Sequence, residues 1–382
     1  MTPFIPTLTP DPVDPRDYVF EWDLTAVVPA RVDLRDYTGM IEHQLRLNAC
    51  TANATASACE MFLIANGVFA DTPATDSHDL SRLFNYYTSR QSLGGVFADR
   101  DIGSTARESL RVARNLGLCF ERTWPYDESM VNVRPSDAAY VEALNWRIGS
   151  YERINMVKAI TFESLNPEAQ IRYAIAKGWP VQVGMRIGQR FLELKPDEVY
   201  SYVHPVNNPF IINHEMLIVS YDSDRDDVTI ENSLGPDWCD RGYFRCPMRV
   251  LVNDAIDLWV VKGFAGYERV GPDVTITVPA DPNETLVINA YRDMLHRPPE
   301  PAGLAHWMSL LAAGMTHADM RRHIANQSEF QNAHTTVESL YRDILLRPSD
   351  PDGLAAWTAS GLTIAQIIPG FLGSAEFFAK FG

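Results

Sequence analysis

Four side chains along the sequence could together perform nucleophilic chemistry on a carbonyl group. Cys50 lies in "QLRLNACTANA" (residues 44–54), at the start of an alanine-rich stretch with helical spacing that ends at Gly67. The N-terminus of a helix stabilises a thiolate through its unpaired N–H groups and the positive end of its dipole. Cys50 is therefore a candidate nucleophile, although a cysteine near a helix start is also a common core residue.

Three other residues could serve such a nucleophile. The side-chain amide of Gln44 and the backbone N–H of Cys50 could donate hydrogen bonds to one oxyanion. Far downstream, His214 opens one β-rich segment and Asn232 ends the next, with "DSDRDD" (residues 222–227) between the two segments. If the segments pair as strands, the Asn232 oxygen can hold the His214 imidazole in the tautomer that exchanges a proton with a thiol.

The sequence around these residues changes from helical to β-rich. Helical spacing dominates from about residue 50 to about 120, and short β-rich runs separated by Gly, Asp and Pro follow from about residue 180. Helices followed by strands predict an α+β fold with a helical lobe and an antiparallel β lobe. A ligand site is expected in the cleft between the lobes.

A sequence repeat occupies the C-terminal region. "YRDMLHRPPEPAGLAHW" begins at Tyr291 and "YRDILLRPSDPDGLAAW" begins at Tyr341. We predict an extended N-terminal arm (1–30), an α+β domain (31–265), a linker (266–283) and an all-α domain of two ~50-residue units (284–382). The proline-rich arm could lie in the cleft as an inhibitory strap, in which case deleting residues 1–28 should raise activity.

Composition excludes several classes of partner. A formal charge of -16 over 382 residues argues against nucleic acid, and no apolar run is long enough to predict membrane insertion. The N-terminus shows no secretory signal. Five cysteines cannot all pair, and whether Cys239 and Cys246 form a disulfide stays open. No CxxC pair or His/Cys cluster is present, so we expect no metal and no cofactor.

The order Gln44, Cys50, His214, Asn232, with helices before strands, resembles the papain-like cysteine peptidases, particularly a bacterial branch without a long helical propeptide. "DPRDY", "VDLRDY", "DIGSTARESLRVARNLGLCFERTWPY" and "KGWPVQVGMRI" extend the resemblance over about residues 12–265. The resemblance implies that Cys50 attacks a peptide carbonyl, that His214 transfers protons, and that the substrate is a peptide or protein. It also implies that Gly103 binds substrate backbone, although Gly103 could simply be a turn glycine before a helix.

Three departures from the family pattern bear on activity. Asn48, Ala49 and Thr51 stand where the family usually has glycine and serine before the nucleophile and tryptophan after it. Leu45 stands where the family has a glycine after the glutamine, which should shift the oxyanion loop. Leu234 replaces the tryptophan expected to shield the His–Asn hydrogen bond from water, so we expect weaker shielding. The functional alternative is a structural or binding component, for example of a phage virion or cell surface, that retains the fold with little or no turnover. A transferase using the same acyl-enzyme chemistry is a further alternative.

The C-terminal repeats resemble a repeat of unknown function found in exported and surface-associated bacterial proteins. This resemblance implies a docking partner at a cell surface or on a virion, bound through residues 284–382. We therefore expect an extracellular, cell-surface or virion-associated protein, rather than a cytoplasmic one.

Overall fold

The computed structural model describes most of the chain. The described residues are 8, 10–11, 14, 17–23, 26–68, 79–92, 100–154, 167–201, 211–272, 274, 276, 281–295, 299–333, 336–345 and 349–381. They fall into two compact units. The first lies within Met1–Glu21, Ala30–Asn155 and Glu168–Val274, and the second within Trp22–Pro29, Met156–Pro167 and Thr275–Gly382.

The first half of unit 1 is mainly helical, as its sequence periodicity predicts. The helices of this unit are α1 (Cys50–Ala65), α2 (Arg82–Ser92), α3 (Ala106–Asn115), α4 (Asp137–Ala143), α5 (Pro167–Ala176) and α6 (Met248–Asp254). Helix α3 begins after Thr105, whose side chain accepts a hydrogen bond from the Glu108 N–H. Gly67 follows α1 with φ of +68°, so the predicted glycine end of this helix is confirmed.

The second half of unit 1 is dominated by one antiparallel sheet. Its strands are β1 (Arg31–Asp33), β2 (Ile148–Arg153), β3 (Val181–Gly188), β4 (Ile211–Asp222), β5 (Asp227–Glu231), β6 (Tyr243–Pro247) and β7 (Ala255–Phe264). The strand order is β2-β7-β3-β4-β5-β6, and β1 pairs with the far end of β4. The predicted α+β class, with helices followed by an antiparallel sheet, is therefore confirmed.

Helix α1 is the central helix of unit 1. Every residue from Cys50 to Leu63 is buried, as expected for a helix that is surrounded on all sides. Its many Ala, Ser and Thr residues are small, which lets strands β4 and β7 and helices α2 and α3 approach its backbone. Cys50 is the first residue of this helix, so its position is fixed by the packing of the whole unit.

The described residues of unit 2 form two runs of four helices. The first run is α7 (Pro282–Leu295), α8 (Pro301–Ala312), α9 (His317–Ala325) and α10 (Ser328–Ala333), and the second is α11 (Val337–Leu345), α12 (Pro351–Ala359), α13 (Ile364–Leu372) and α14 (Ala375–Phe381). Helices α8 and α12 both begin with proline, whose fixed φ suits the first helical position. The helical prediction for this region is confirmed.

The two runs of helices share one hydrophobic core. Tyr291 on α7 and Tyr341 on α11 are both buried in it, fifty positions apart in the sequence. Trp307 donates a hydrogen bond from Nε1 to the Tyr291 hydroxyl oxygen at 3.1 Å, and the Tyr341 ring packs edge-on against Phe371. Within the described part of the chain, no helix combines the length and apolar character needed to cross a membrane.

Candidate active site

Strands β4 and β5 bring His214 and Asn232 together. The two strands are neighbours in the sheet and pair antiparallel across the turn at residues 223–226. His214 Nε2 and Asn232 Oδ1 are 2.7 Å apart, a hydrogen-bond distance. His214 Nδ1 has no hydrogen-bond partner among the described residues. Since Asn232 Oδ1 can only accept, the bond places a proton on Nε2 and leaves Nδ1 of the neutral ring able to accept one.

The thiol of Cys50 lies beside strand β4. The backbone N–H of Glu215, the residue after His214, is close enough to the sulfur to lower the thiol pKa, and so is the N–H of Thr51. Burial has the larger effect and raises the pKa of Cys50 to about 12. Burial also lowers the pKa of His214 to about 4, against the opposing effect of the Asn232 hydrogen bond. The thiolate stabilisation predicted from the helix N-terminus is therefore outweighed in this closed conformation.

Solvent does not reach either group. Cys50 is 0% exposed and His214 is 1% exposed. The Phe191 ring meets His214 edge-on with 6.2 Å between centroids, and the Trp238 ring packs against Phe191. Phe191 thus lies against the buried imidazole, and Asn232 is buried as well, while weaker shielding from Leu234 stays a prediction.

Gln44 is held in place by Ser233. The Gln44 backbone N–H donates to the Ser233 carbonyl oxygen at 2.9 Å, and the Ser233 hydroxyl donates to Gln44 Oε1 at 2.5 Å. The Ser233 N–H in turn donates to Asn232 Oδ1 at 2.8 Å, so Ser233 connects two of the predicted site residues. Gln44 Nε2 donates to the Leu47 carbonyl oxygen at 2.9 Å, which uses one of its two N–H groups and turns the amide toward the start of α1.

Leu45 adopts the backbone conformation of a glycine. Its φ is +52°, in the left-handed region that side chains with a Cβ rarely adopt. The Leu45 N–H donates to His43 Nδ1 at 2.9 Å, and its side chain is 41% exposed. The substitution of leucine for glycine has therefore kept the turn after Gln44 at the expense of backbone strain.

A hydrogen-bond network connects the segment before Cys50 to Gly103. The Asn48 backbone N–H donates to Asp101 Oδ1 at 2.9 Å, and the Tyr86 hydroxyl donates to the same oxygen at 2.5 Å. The Gly103 N–H donates to the Tyr86 oxygen at 3.0 Å, and Gly103 has φ of +84°. The positive φ agrees with the turn interpretation of Gly103. In this conformation its N–H is engaged within the protein, so binding of substrate backbone by Gly103 stays a prediction.

The N-terminal arm reaches the strand that carries His214. The Leu8 N–H donates to the carbonyl oxygen of Asn213 at 2.9 Å, and Asn213 Nδ2 donates to the Leu8 oxygen at 3.4 Å. Leu8 is 4% exposed. A segment of the chain thus binds, through its backbone, directly beside the imidazole.

The other cysteines offer no competing site. All five cysteines are free thiols, so the open question about Cys239 and Cys246 is answered against a disulfide. Cys59, Cys119 and Cys246 are buried, and burial is the first cause of the raised pKa of each of these three thiols. Among the described residues, no group of three His, Cys, Asp or Glu side chains is arranged to hold a metal ion.

The chain belongs to the papain family of cysteine proteases. The family model matches residues 28–254, which is more than half of the chain. Residues 280–334 match a second model, a domain of unknown function named DUF4214, which covers the first run of helices in unit 2. The family assignment and the papain-like fold predicted from the order of Gln44, Cys50, His214 and Asn232 are confirmed, and the chain carries a cysteine peptidase domain.

Several known proteins are similar to parts of the chain. Xylellain, a cysteine protease from Xylella fastidiosa, is 27% identical with a TM-score of 0.57, and the match covers 67% of this chain and 95% of xylellain. An uncharacterised peptidase C1-like protein of Acanthamoeba polyphaga mimivirus is 27% identical over 221 residues, 56% of this chain and 67% of the relative. The thiol protease aleurain of Arabidopsis thaliana is 27% identical over 140 residues, which span only 35% of aleurain.

Sequence reasoning missed the residues that support the four predicted ones. Ser233 was visible in the sequence as part of "NSL" after Asn232, but nothing in its spacing indicated a bond to Gln44. Asp101 and Tyr86 lie on separate segments that meet only in the folded chain. Residues of this kind are found by contact and not by spacing along the sequence.

Proposed function

We propose that the protein hydrolyses peptide bonds with Cys50 as nucleophile, His214 as general base and acid, and Asn232 as the group that orients the imidazole. The hydrogen bond between His214 Nε2 and Asn232 Oδ1 is the observation that carries the proposal. It leaves Nδ1 without a described partner on a ring whose neighbour, Glu215, lies beside the Cys50 sulfur. The arrangement supports transfer of a proton between sulfur and Nδ1.

Peptide-bond hydrolysis would proceed through a thioester on Cys50, with His214 as the group that carries each proton. The Cys50 sulfur bonds to the substrate carbonyl carbon as its proton passes to His214 Nδ1, and the carbonyl electron pair moves onto oxygen. Gln44 Nε2 and the Cys50 N–H stabilise that oxyanion. The C–N bond then breaks, the amine takes the proton from His214, and a thioester remains. Water attacks the thioester, its proton passes through His214 to the sulfur, and the acid product leaves.

The direct test is covalent labelling of the full-length chain. An epoxysuccinyl thiol inhibitor at about pH 6 should add one adduct to Cys50, read by intact mass and peptide mapping. His214→Ala should slow labelling at least about a hundredfold, because the imidazole takes the thiol proton. Cys239→Ala is the matched control, since Cys239 is the partly exposed cysteine, and it should leave labelling unchanged. Labelling of Cys50 that does not depend on His214 would contradict the proposal.

The burial of the site favours a second candidate function. Cys50 and His214 are closed to solvent, as in a structural or binding component that retains the fold without turnover. The same experiment separates the two functions if a Leu8→Ser variant is included, because this change weakens the packing of the arm at the site. Labelling of Leu8→Ser at Cys50 supports the peptidase. A folded Leu8→Ser variant that stays unlabelled supports the structural component.

We infer in addition that the arm restrains activity. The test by deletion of residues 1–28 can be sharpened, because Phe20 is buried and Asp17 forms ion pairs with Arg107 and Arg153. Such a deletion would remove core contacts along with the contact at Leu8. The single change Leu8→Ser leaves those contacts intact and should raise the labelling rate about tenfold or more, by the ~1.5–3 kcal/mol that burial of a leucine contributes. An unchanged rate in folded protein would contradict the restraint.

We propose that unit 2 docks the peptidase to a cell surface or virion, which would give it an extracellular or virion-associated location. Unit 2 forms its own compact body, and its first four helices match a domain found as a separate family. The test compares co-sedimentation of the Cys50→Ala full chain and of residues 1–274 with cells of the source. Equal sedimentation of the two would contradict the docking role.

A further inference from the structure

A pair of buried carboxylates lies next to the candidate active site and takes no part in the mechanism above. Glu215 on β4 is 1% exposed and Asp257 on β7 is 0% exposed. No oxygen of either side chain receives a hydrogen bond of normal geometry from the described residues. Two buried acids without a full hydrogen bond are costly, because each loses its hydration. For Asp257 the backbone N–H groups of Gly184 and Asp11 offset only part of the effect of burial, and its pKa stays raised.

Strand β3 places the two acids on either side of Gly184. Gly184 pairs with Glu215 on one neighbouring strand and with Asp257 on the other. A Cβ on Gly184 would lie 2.8 Å from Asp257 Oδ1 and 3.1 Å from Glu215 Oε2, so both carboxylates converge on one point of the sheet. Glycine is required there because a larger residue would fill the space between them.

Leu8 of the arm covers this point. The same Cβ position on Gly184 lies 2.7 Å from Leu8 Cδ2, so the leucine side chain sits directly over the carboxylate pair. The Leu8 backbone is bonded to Asn213, the residue before His214. A substrate peptide that used the same backbone bonds would present a side chain at the same place, one strand position from the imidazole.

The charge of Arg153 partly offsets the rise in the pKa of Asp257, although Arg153 forms its ion pair with Asp17. Arg107 and Arg153 form ion pairs with Asp17, and Arg107 also pairs with Asp11. Asp11 adds negative charge to the cluster and raises the pKa of both acids. The Leu8 side chain is apolar and can neither donate a hydrogen bond to these carboxylates nor balance their charge. A cationic side chain at the same place would be attracted by Asp11, Glu215 and Asp257.

We propose that Glu215 and Asp257 recognise an arginine or lysine of the substrate at the place that Leu8 fills in the closed protein. This inference rests on the proposed peptidase function, for which it names the substrate class. The two carboxylates form the acidic floor of a side-chain pocket, Gly184 provides its depth, and Leu8 is an apolar plug that the substrate replaces. From the usual strength of a charge-assisted bond at such a site, about a ten- to hundredfold preference for a basic residue is expected.

The first test needs no catalysis. In the full-length chain at about pH 8, Leu8→Arg is compared with Leu8→Met, an apolar control of similar length, by thermal unfolding. Leu8→Arg should unfold at a temperature at least about 3 °C higher than Leu8→Met. The difference should vanish when both changes are made in a Glu215→Gln, Asp257→Asn background. An equal difference in the two backgrounds, or a lower melting temperature for Leu8→Arg in the original one, overturns the inference.

The second test uses cleavage. A positional library of tetrapeptide amides is given to the full-length Leu8→Ser variant, and kcat/KM is compared for arginine, lysine and norleucine at each position. One position should prefer a basic residue about tenfold or more, and the ratio should fall to near one with Glu215→Gln and Asp257→Asn. Cleavage without any preference for a basic residue contradicts this inference and supports the proposed peptidase function. If no peptide is cleaved but Leu8→Arg stabilises the protein, the proposed peptidase function is contradicted and the cation-binding site is supported.

Discussion

A buried ion pair in unit 2 and a buried pair of acids in unit 1 differ in their hydrogen bonds. In unit 2, Arg321 is almost fully buried, and it forms an ion pair with Asp293 and donates to His317 Nε2 at 3.1 Å. In unit 1, Glu215 and Asp257 are just as buried but receive no hydrogen bond of normal geometry from the described residues. Other buried charges of unit 1 are paired, as Arg82 is with Glu121, so the two acids are an exception within their own unit.

This difference in hydrogen bonding indicates which buried groups could gain free energy by binding a ligand. A buried polar group with a partner contributes to a unique packed arrangement, whereas one without a partner can only gain when a ligand arrives. In unit 1 Glu215 directly follows His214 on β4, Asp257 converges with it from β7, and Leu8 covers both. The contrast predicts that changes to the pair in unit 2 alter stability alone, and that changes to the acids of unit 1 alter pH dependence and recognition.

The largest effect is expected from breaking the ion pair in unit 2. Asp293→Ala leaves the Arg321 charge buried without its carboxylate, which should lower the free energy of unfolding of unit 2 by about 3–5 kcal/mol. Asp319→Asn on the exposed pair with Arg322 is the control and should change stability far less. Chemical denaturation followed by a probe on each unit measures both. A fall in kcat/KM of folded Asp293→Ala would break the comparison, because this pair would then serve the site.

Stability should depend on pH through Asp257. Burial, and then the charge of Asp11, raise its pKa from 3.8 to about 7. The unfolded state therefore loses its proton first as the pH rises, and the closed protein loses stability between about pH 4 and pH 7. The loss approaches about 4 kcal/mol, at roughly 1.4 kcal/mol for each pKa unit. Asp257→Asn should remove this contribution to the pH dependence of the free energy of unfolding, which is measured by denaturation curves at a series of pH values.

Other groups titrate in the same range, so the comparison must be with the variant. Glu215 also has a raised pKa and acts in the same direction. His214 acts in the opposite direction, because its lowered pKa costs stability as the pH falls from about 6.5 toward 4. Both remain in Asp257→Asn, so the difference between the two curves reports Asp257 together with the part of the raised Glu215 pKa that the Asp257 charge causes. Parallel curves would mean that this carboxylate is satisfied in solution.

Removing the oxyanion donor Gln44 should raise the activation free energy of catalysis. The expected increase is smaller than the loss of unfolding free energy in Asp293→Ala, and larger than the contribution of one neutral hydrogen bond. Gln44→Ala is expected to lower kcat about a hundred- to a thousandfold, with little change in KM, because the bond forms with the transition state. Ser233→Ala removes only the hydroxyl that orients the Gln44 amide and should lower kcat about tenfold or less. Steady-state kinetics on Leu8→Ser as background measures both. Equal losses would show that Ser233 itself contacts the reacting atoms.

The sequence was informative where chemistry and periodicity coincide. A helix beginning at Cys50 and a glycine end at Gly67 follow from spacing alone. The pairing of the segments that carry His214 and Asn232 follows from two β-rich runs with a short polar turn between them. In each case the information is local, or connects segments close in sequence, so a reader of the sequence can recover it.

The rest depended on contacts between distant segments. Glu215 and Asp257 are 42 positions apart in the sequence and come together only because β4 and β7 both pair with β3. The Phe191 ring that packs against His214 lies on a segment that precedes β4, and nothing in the sequence near His214 or Asn232 indicated this contact. Leu8 reaches the site across more than two hundred residues. These contacts depend on the register of the sheet and on the path of the N-terminal arm. Neither can be predicted from the spacing of residues along the sequence.

The smallest effect concerns the strained turn beside the oxyanion donor. Leu45 holds φ of +52°, which costs about 1 kcal/mol relative to glycine, and its exposed side chain recovers little of this by packing. Leu45→Gly should therefore relieve strain in the folded state, against a smaller cost from the freer unfolded chain. We expect up to about 1 kcal/mol of stabilisation and unchanged kcat, since the Gln44 bonds to Ser233 and Leu47 do not involve residue 45. A lower kcat in the stabilised variant would mean that the strain itself positions the Gln44 amide. Backbone conformation at this turn, and not an unsatisfied side chain, would then be used for catalysis.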